Sequence, residues 1–172
     1  ARCNETLGCR FMNNGEMVFE DMFVPDDHLL VQDSALGSAG IYFRPGKIIQ
    51  AAKNLGVGVR AFEVTADYVQ NYVQGGRILI KHQAVALRLA DMATRIDASR
   101  MLVYRAAWMK DQGQVHTKES SMCKLFAGDT AMAVTIDAVQ ILGGYGYTTE
   151  YPVERMMRDA KITQIYEGTN QI

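Results

Sequence analysis

The chain has 172 residues, enough for one substantial core and too few for two ordinary domains. With 48% hydrophobic and 22% charged residues it is neither disordered nor fibrous, and a formal net charge of -1 provides no basic field for nucleic acid or a membrane surface. Cys3, Cys9 and Cys123 form no Cys-x-x-Cys pair, and His28, His82 and His116 lack ligand spacing, so neither a disulfide framework nor a metal site is expected.

A reducing compartment is the natural setting for such a chain. The sequence offers no run of about eighteen apolar residues for a membrane span and no signal pattern at its start. It begins without methionine and stops at what reads as a helix start, so both ends are expected to be cuts in a longer protein.

Residues 15 to 24, Gly-Glu-Met-Val-Phe-Glu-Asp-Met-Phe-Val, read as a strand between Asn13-Asn14-Gly15 and Pro25-Asp26-Asp27. A lone strand leaves its amides and carbonyls unpaired, so it should join a sheet formed elsewhere. Residues 31 to 40, rich in glycine and serine, read as a linker.

From Pro45, placed as a first-turn proline, the period becomes helical. Ile48, Ala52, Leu55, Val59, Phe62, Ala66, Val69 and Val73 share one face, and Gly75-Gly76 ends the pattern. Gly56 and Gly58 cost helix stability and suggest close packing against another backbone. A second helix carries Val85, Leu89, Met92, Ile96, Ser99, Val103 and Ala106, ending near Gly113. A third, N-capped by Thr117, carries Met122, Phe126, Asp129, Ala133, Ile136 and Gln140, with Leu125, Met132 and Val139 widening the stripe. Short connections between long amphipathic helices predict a mainly α, up-and-down helical bundle of the four-helix type, preceded by a short β segment. The fourth helix would begin at Thr169.

Two stretches break this regularity. Gln140 to Tyr147 places Gly143 and Gly144 after the third helix, which fits either a glycine C-cap or a close ligand approach. Tyr166-Glu167-Gly168-Thr169-Asn170-Gln171 fits either a helix start, with Thr169 as N-cap, or a carboxylate base held beside a ligand. Between them, the charges of 150 to 160 read as the solvated face of a short helix.

The run Asp137 to Gly144, then Glu150 to Arg155, Met157 to Lys161 and Gln164 to Thr169, closely resembles the C-terminal region of the acyl-CoA dehydrogenases. The resemblance extends upstream through His82-Gln83-Ala84, Leu89 to Met92 and Arg105 to Trp108. Val18 to Asp21 with Val24-Pro25 resembles the end of that family's middle β-domain, which implies a boundary with 1–36 as β-domain end and linker, and 37–172 as helical bundle.

The resemblance implies an enzyme that holds FAD and introduces an α,β double bond into an acyl-CoA thioester. Glu167 matches the family's catalytic glutamate, which must be partly desolvated to abstract so weakly acidic a proton. Its backbone amide would bind the thioester oxygen as enolate charge develops. Gln140, Gly143 and Gly144 would contact the adenosine end of FAD from a neighbouring subunit, Thr169 and Gln171 its phosphates, and His82 and Gln83 the flavin. Arg44 and Lys47 are candidates for holding CoA. Some relatives carry the base on the first helix, but Arg44-Pro45-Gly46-Lys47 contains no acid. Where many relatives grip the pyrophosphate with an arginine, this chain has Tyr72, leaving Gln74 and glycine amides as donors.

The implied partners are acyl-CoA, an electron-transfer flavoprotein as acceptor, and further copies of the chain in a dimer or tetramer. The implied location is the bacterial or archaeal cytoplasm or the mitochondrial matrix. A noncatalytic bundle serving oligomerisation or partner binding is the competing reading, and the isolated fragment is expected to be inactive.

Overall fold

A computed structural model describes residues 2–28 and 35–171, with side chains from residue 43 onward in the first helix. The linker segment 31–34 and Ile172 lie outside the described residues. Three long helices, α1 (Ala35–Asn71), α2 (Gln83–Asp111) and α3 (Thr117–Leu142), run up, down and up, followed by the short α4 (Val153–Ile162).

The antiparallel order follows from the core. Leu89, Met92 and Ile96 of α2 pack in one cluster with Ala61, Tyr68 and Val69 of α1 and Val134, Ala138 and Leu142 of α3. At the other end Val103 and Ala106 pack with Ile48, Ala51, Cys123 and Ala127. Each connection is short enough to return the chain beside itself. Between the two clusters Asn54 and Ser99 are 1% exposed, and their side-chain polar atoms have no partner among the described residues.

The predicted face of α2 is buried from Leu89 to Ala106, with Val85 half-buried. That of α3 is not. Cys123, Ala127, Gly128, Ala131, Val134 and Ala138 face inward, while Met122, Phe126 and Ile136 are more than a third exposed and Asp129 and Gln140 are exposed. Both sides of α3 are apolar, and periodicity cannot tell which is covered. Small residues win because α3 packs against α1, α2 and α4, and short side chains let their backbones approach. By length and mean hydropathy, 1.4 over its most apolar window, Thr117–Tyr147 also meets the measure of a membrane-crossing helix, as core helices do; 44% of that window is buried inside the bundle.

The buried line of α1 is likewise shifted, to Ala51, Asn54, Gly58, Ala61 and Thr65, with Ala52 exposed. Gly58 packs against Ile96, whereas a Cβ on Gly56 would touch nothing within 4 Å, so only the first has a packing reason. Helix α1 begins at Ala35, which puts Pro45 inside it rather than in the first turn and helix within the expected linker. There Pro45 has no amide to bond the carbonyl four residues back, a cost of roughly 3 kcal/mol that the long packed helix outweighs. Helix α1 ends at Asn71, and Gly75-Gly76 form the turn of a hairpin, β3 (Val73–Gln74) with β4 (Arg77–Ile78), both glycines at positive φ. His116, not Thr117, occupies the N-cap of α3, without a side-chain cap bond.

The expected strand reduces to β2 (Gly15–Glu16), paired with β1 (Arg2–Cys3), and Met17, Val18, Phe19 and Phe23 are exposed. Among the described residues only β1 lies beside β2, so the remaining residues have no ladder to join. The charges of α4 are not simply solvated. Arg158 forms a two-pronged pair with Glu154 through Nε at 2.8 Å and Nη2 at 3.0 Å, and its Nη1 donates to the Leu7 carbonyl at 3.0 Å. The Cys9 amide donates to Asp159 Oδ1 at 2.6 Å. Gly8 is buried where a Cβ would overlap the Arg158 carbonyl. Thus α4 clamps the N-terminal segment to the bundle.

Two outcomes follow. Asn54→Leu, nearly isosteric, should raise stability by about 1–2 kcal/mol in denaturant unfolding, because it removes an unpaired buried amide. Arg158, by hydrogen bonding above all, holds the Glu154 carboxyl below its ordinary range. The Arg158–Glu154 pair is therefore complete above the ordinary glutamate range and lost as pH falls through the lowered value, so protection of the Arg158 Nε proton, followed by NMR, should fade on acidification.

Candidate functional site

The chain from Thr163 to Gln171 runs along α3 and is pinned at several points. Asn170 Nδ2 donates to Asp129 Oδ1 at 2.8 Å and to the Leu125 carbonyl at 3.3 Å, and Gln164 Nε2 donates to the same Asp129 oxygen at 2.6 Å. Lys124, 3% exposed, donates to the Gly168 carbonyl and to Asn170 Oδ1. On the α1 side the Tyr166 hydroxyl donates to Gln50 Oε1 at 2.6 Å. Burial pushes the Tyr166 phenol upward, with lesser contributions from Cys9 and Glu167, so it remains a donor.

Glu167 is half-buried at the turn of this segment, with φ 56°, and Gly168 follows at φ 91°. Left-handed backbone in a glutamate is costly and persists only where its surroundings hold it. The Glu167 carboxylate has no ion-pair partner among the described residues. The Thr169 hydroxyl accepts the Gln171 amide at 3.2 Å and donates to Gln171 Oε1 at 2.8 Å, a local turn with no helix beginning at Thr169 among the described residues.

Beside this turn a cavity of about 260 Å³ is lined by Lys47, Lys118, Lys124, Gly168 and Thr169 among others. The Lys47 and Lys118 ammonium groups and exposed backbone suit an anionic ligand, whereas the buried Lys124 ammonium is taken up by Gly168 and Asn170. Lys47 Nζ donates to Ser121 Oγ at 3.1 Å, and Arg44 is exposed. Cys123 lies nearby but is no nucleophile, since burial pushes its thiol up to about 11.

The other candidates gather at the far end of α3. A cleft of about 500 Å³ is lined by Tyr68, Tyr72, Gln74, Gly143, Gly144 and Tyr145 among others. His82 Nε2 lies 3.0 Å from the Gln74 carbonyl and supports the hairpin. Gln83 and Gln140 are exposed and are not among the residues lining the cleft. Gly143, at φ 61°, caps α3 by donating its amide to the Gln140 carbonyl. Tyr72 stacks on Tyr68 with ring centres 4.9 Å apart and meets Tyr145 edge-on at 6.0 Å. Burial, aided by Tyr72 and Tyr151, pushes the Tyr68 phenol up to about 12, so it stays neutral. At 1.5 Å per residue, roughly 20–30 Å of α3 separates this cleft from the Glu167 turn.

The family model described as acyl-CoA dehydrogenase, C-terminal domain, matches residues 40–172. The chain belongs to the acyl-CoA dehydrogenase family. It is 46% identical over 167 residues to an acyl-CoA dehydrogenase of Bacillus subtilis, covering 96% of this chain and 44% of that protein. It superimposes on the structure of butyryl-CoA dehydrogenase from Megasphaera elsdenii with a TM-score of 0.94 at 43% identity, covering 99% of this chain and 45% of that one. It also resembles PigA, solved with FAD and proline, with a TM-score of 0.95 at 27% identity, covering 99% and 45%. The chain thus spans under half the length of these relatives.

Within this acyl-CoA dehydrogenase domain, reading the sequence missed Lys124, Asp129, Gln50 and Asn170 as supports of the Glu167 turn. The available signal was a lysine in phase with Cys123, Ala127, Gly128 and Ala131, where a charge is costly without partners. The glycine end of α3 is equally specific. A Cβ on Gly146 would lie 2.5 Å from the Val139 carbonyl oxygen and 2.9 Å from Leu142 Cβ. Gly146→Ala should therefore displace the Gly143–Tyr147 turn and cost roughly 1–3 kcal/mol in thermal unfolding.

Proposed function

We propose that this chain is the C-terminal helical part, with the end of the preceding β-domain, of an FAD-dependent acyl-CoA dehydrogenase whose catalytic base is Glu167. The observation that carries the reading is the turn itself: a half-buried carboxylate, held in left-handed backbone by contacts to α1 and α3, with no ion-pair partner among the described residues. Such a group removes the α proton of an acyl-CoA thioester. A fixed backbone keeps the carboxylate within reach of the proton. The Glu167 amide stabilises the developing enolate oxygen.

The residues fit a flavin dinucleotide. Gly143 and Gly144 present backbone without side chains, while Tyr72 and Tyr145 offer aromatic faces and Gln74 a polar edge, a set suited to a flat base and ribose. The lysine-lined cavity at Thr169 suits phosphate, with Lys47 and Arg44 on the CoA side and Gln171 beside Thr169. His82 and Gln83, at the start of α2, would contact the flavin. When bound, FAD would supply the acceptor for the β hydride, which leaves a 2-enoyl-CoA as product.

The separation of the two clusters along α3 supports their serving different cofactor molecules in an oligomer, with Gln140, Gly143 and Gly144 reaching a neighbour's adenosine. Exposed Leu87, Met101 and Trp108 on α2 and Leu125, Phe126 and Ile136 on α3 supply apolar surface for such contacts. An electron-transferring flavoprotein is the acceptor, and the bacterial cytoplasm or mitochondrial matrix suits three free cysteines.

In the full-length enzyme, Glu167→Gln should still perturb the flavin spectrum on binding acyl-CoA but slow its bleaching at least about 100-fold. Bleaching at the unaltered rate would remove the base assignment. A full-length protein that binds neither flavin nor thioester would favour a noncatalytic bundle.

A further inference from the structure

The buried lysine of α3 does more than fill space. Lys124 is 3% exposed, yet no carboxylate among the described residues lies within ion-pair distance of its ammonium. It is held instead by two acceptors of one short segment, the Gly168 carbonyl and Asn170 Oδ1 at 2.8 Å. Burying a charge is costly unless its donors are paired, so both acceptors are fixed by the need to solvate it.

The carbonyl it grips follows directly on the two left-handed residues Glu167 and Gly168. A glutamate at φ 56° returns to commoner backbone when nothing restrains it. The restraint is built around Lys124. Asn170 is held by Asp129 and Leu125, its amide donates to the Gln164 carbonyl at 3.0 Å, and Gln164 returns to Asp129. Gly128 makes room for the arrangement: a Cβ there would lie 3.3 Å from both Asn170 Nδ2 and the Thr163 carbonyl. All other anchors hold the segment on either side of the Glu167–Gly168 unit. Only Lys124 holds that unit's own carbonyl among the described hydrogen bonds.

We propose that Lys124 is a positioning residue for the reaction: its ammonium, by holding the Gly168 carbonyl, fixes the left-handed turn that aims the Glu167 carboxylate and amide at the thioester. This rests on the assignment of Glu167 as base. The lysine touches neither substrate nor proton in this role. Its contribution is geometric, and its loss should appear in the chemical step more than in binding.

The test uses the full-length flavoenzyme with Lys124→Met, which keeps the stem and removes the donor, and Lys124→Ala, which leaves room for an added small amine. Flavin reduction by a saturating acyl-CoA is followed by stopped flow and expressed per bound flavin, beside thioester affinity from the flavin spectral shift. We expect reduction to slow about 30- to 100-fold in K124M, as a displacement near 1 Å would cause. Affinity should change less than about threefold, and ethylamine should restore part of the rate in K124A. Because rates are taken per bound flavin, partial loss of folded enzyme does not enter them; should K124M yield no flavoenzyme, K124Q is measured against the same criteria. An unaltered rate per bound flavin, or equal losses in rate and affinity without amine rescue, overturns the inference. An inactive Glu167→Gln beside a fully active K124M overturns the lysine's role alone, whereas a fully active Glu167→Gln overturns both.

Discussion

The small-residue face of α3 is the constraint on which the rest depends. Cys123, Ala127, Gly128, Ala131 and Ala138 make α3 thin on its inner side, so that α1 and α2 reach it and a non-helical segment lies along it. Larger residues there would separate the helices by the extra side-chain depth, and Thr163 and Asn170 could not approach Gly128. Close approach in turn makes a lysine tolerable on that face. A lysine surrounded by small residues can extend toward the Gly168 carbonyl, whereas large apolar neighbours would leave its charge without acceptors.

The same arrangement explains why α4 is short and amphipathic. It turns the chain back after the glycine stretch, buries Val153 and Ala160 against the core, and uses its polar side on the N-terminal segment through Arg158 and Asp159. Sequence-distant ends are therefore joined through one helix. The segment leaving α4 is the one that presents Glu167, so the clamp and the turn share a support. Cys9 adds to the upward push on the Tyr166 phenol, consistent with that shared environment.

The outward sides of α3 and α2 also carry large apolar residues. Phe126, Ile136, Met101 and Trp108 remain accessible although their spacing is that of core residues. Hydrophobic patterning records every apolar contact a chain makes in its working assembly, not only those within one copy. Expecting Met122, Phe126 and Ile136 to be core is reasonable from that pattern and fails in this chain because the single bundle covers only one side.

By itself the sequence determined the helical class, the three long helices, the face of α2, and, through an ordered series of motifs, the family and its candidate glutamate. These are local or near-local properties: period, glycine punctuation and residue identity at fixed spacing. Only the tertiary structure decided which apolar side of α1 and α3 is covered, that Pro45 stands within a helix and that Gly75-Gly76 turn a hairpin. It also brought Gln74 to Gly143 and Gly144 in one cleft and put Lys124, Asp129 and Asn170 around the Glu167 turn. Those pairings join residues about 35 to 70 positions apart, and no period or short motif encodes a contact at that separation. They exist because packing makes helices converge, and a buried ammonium must then find its acceptors wherever the folded chain places them.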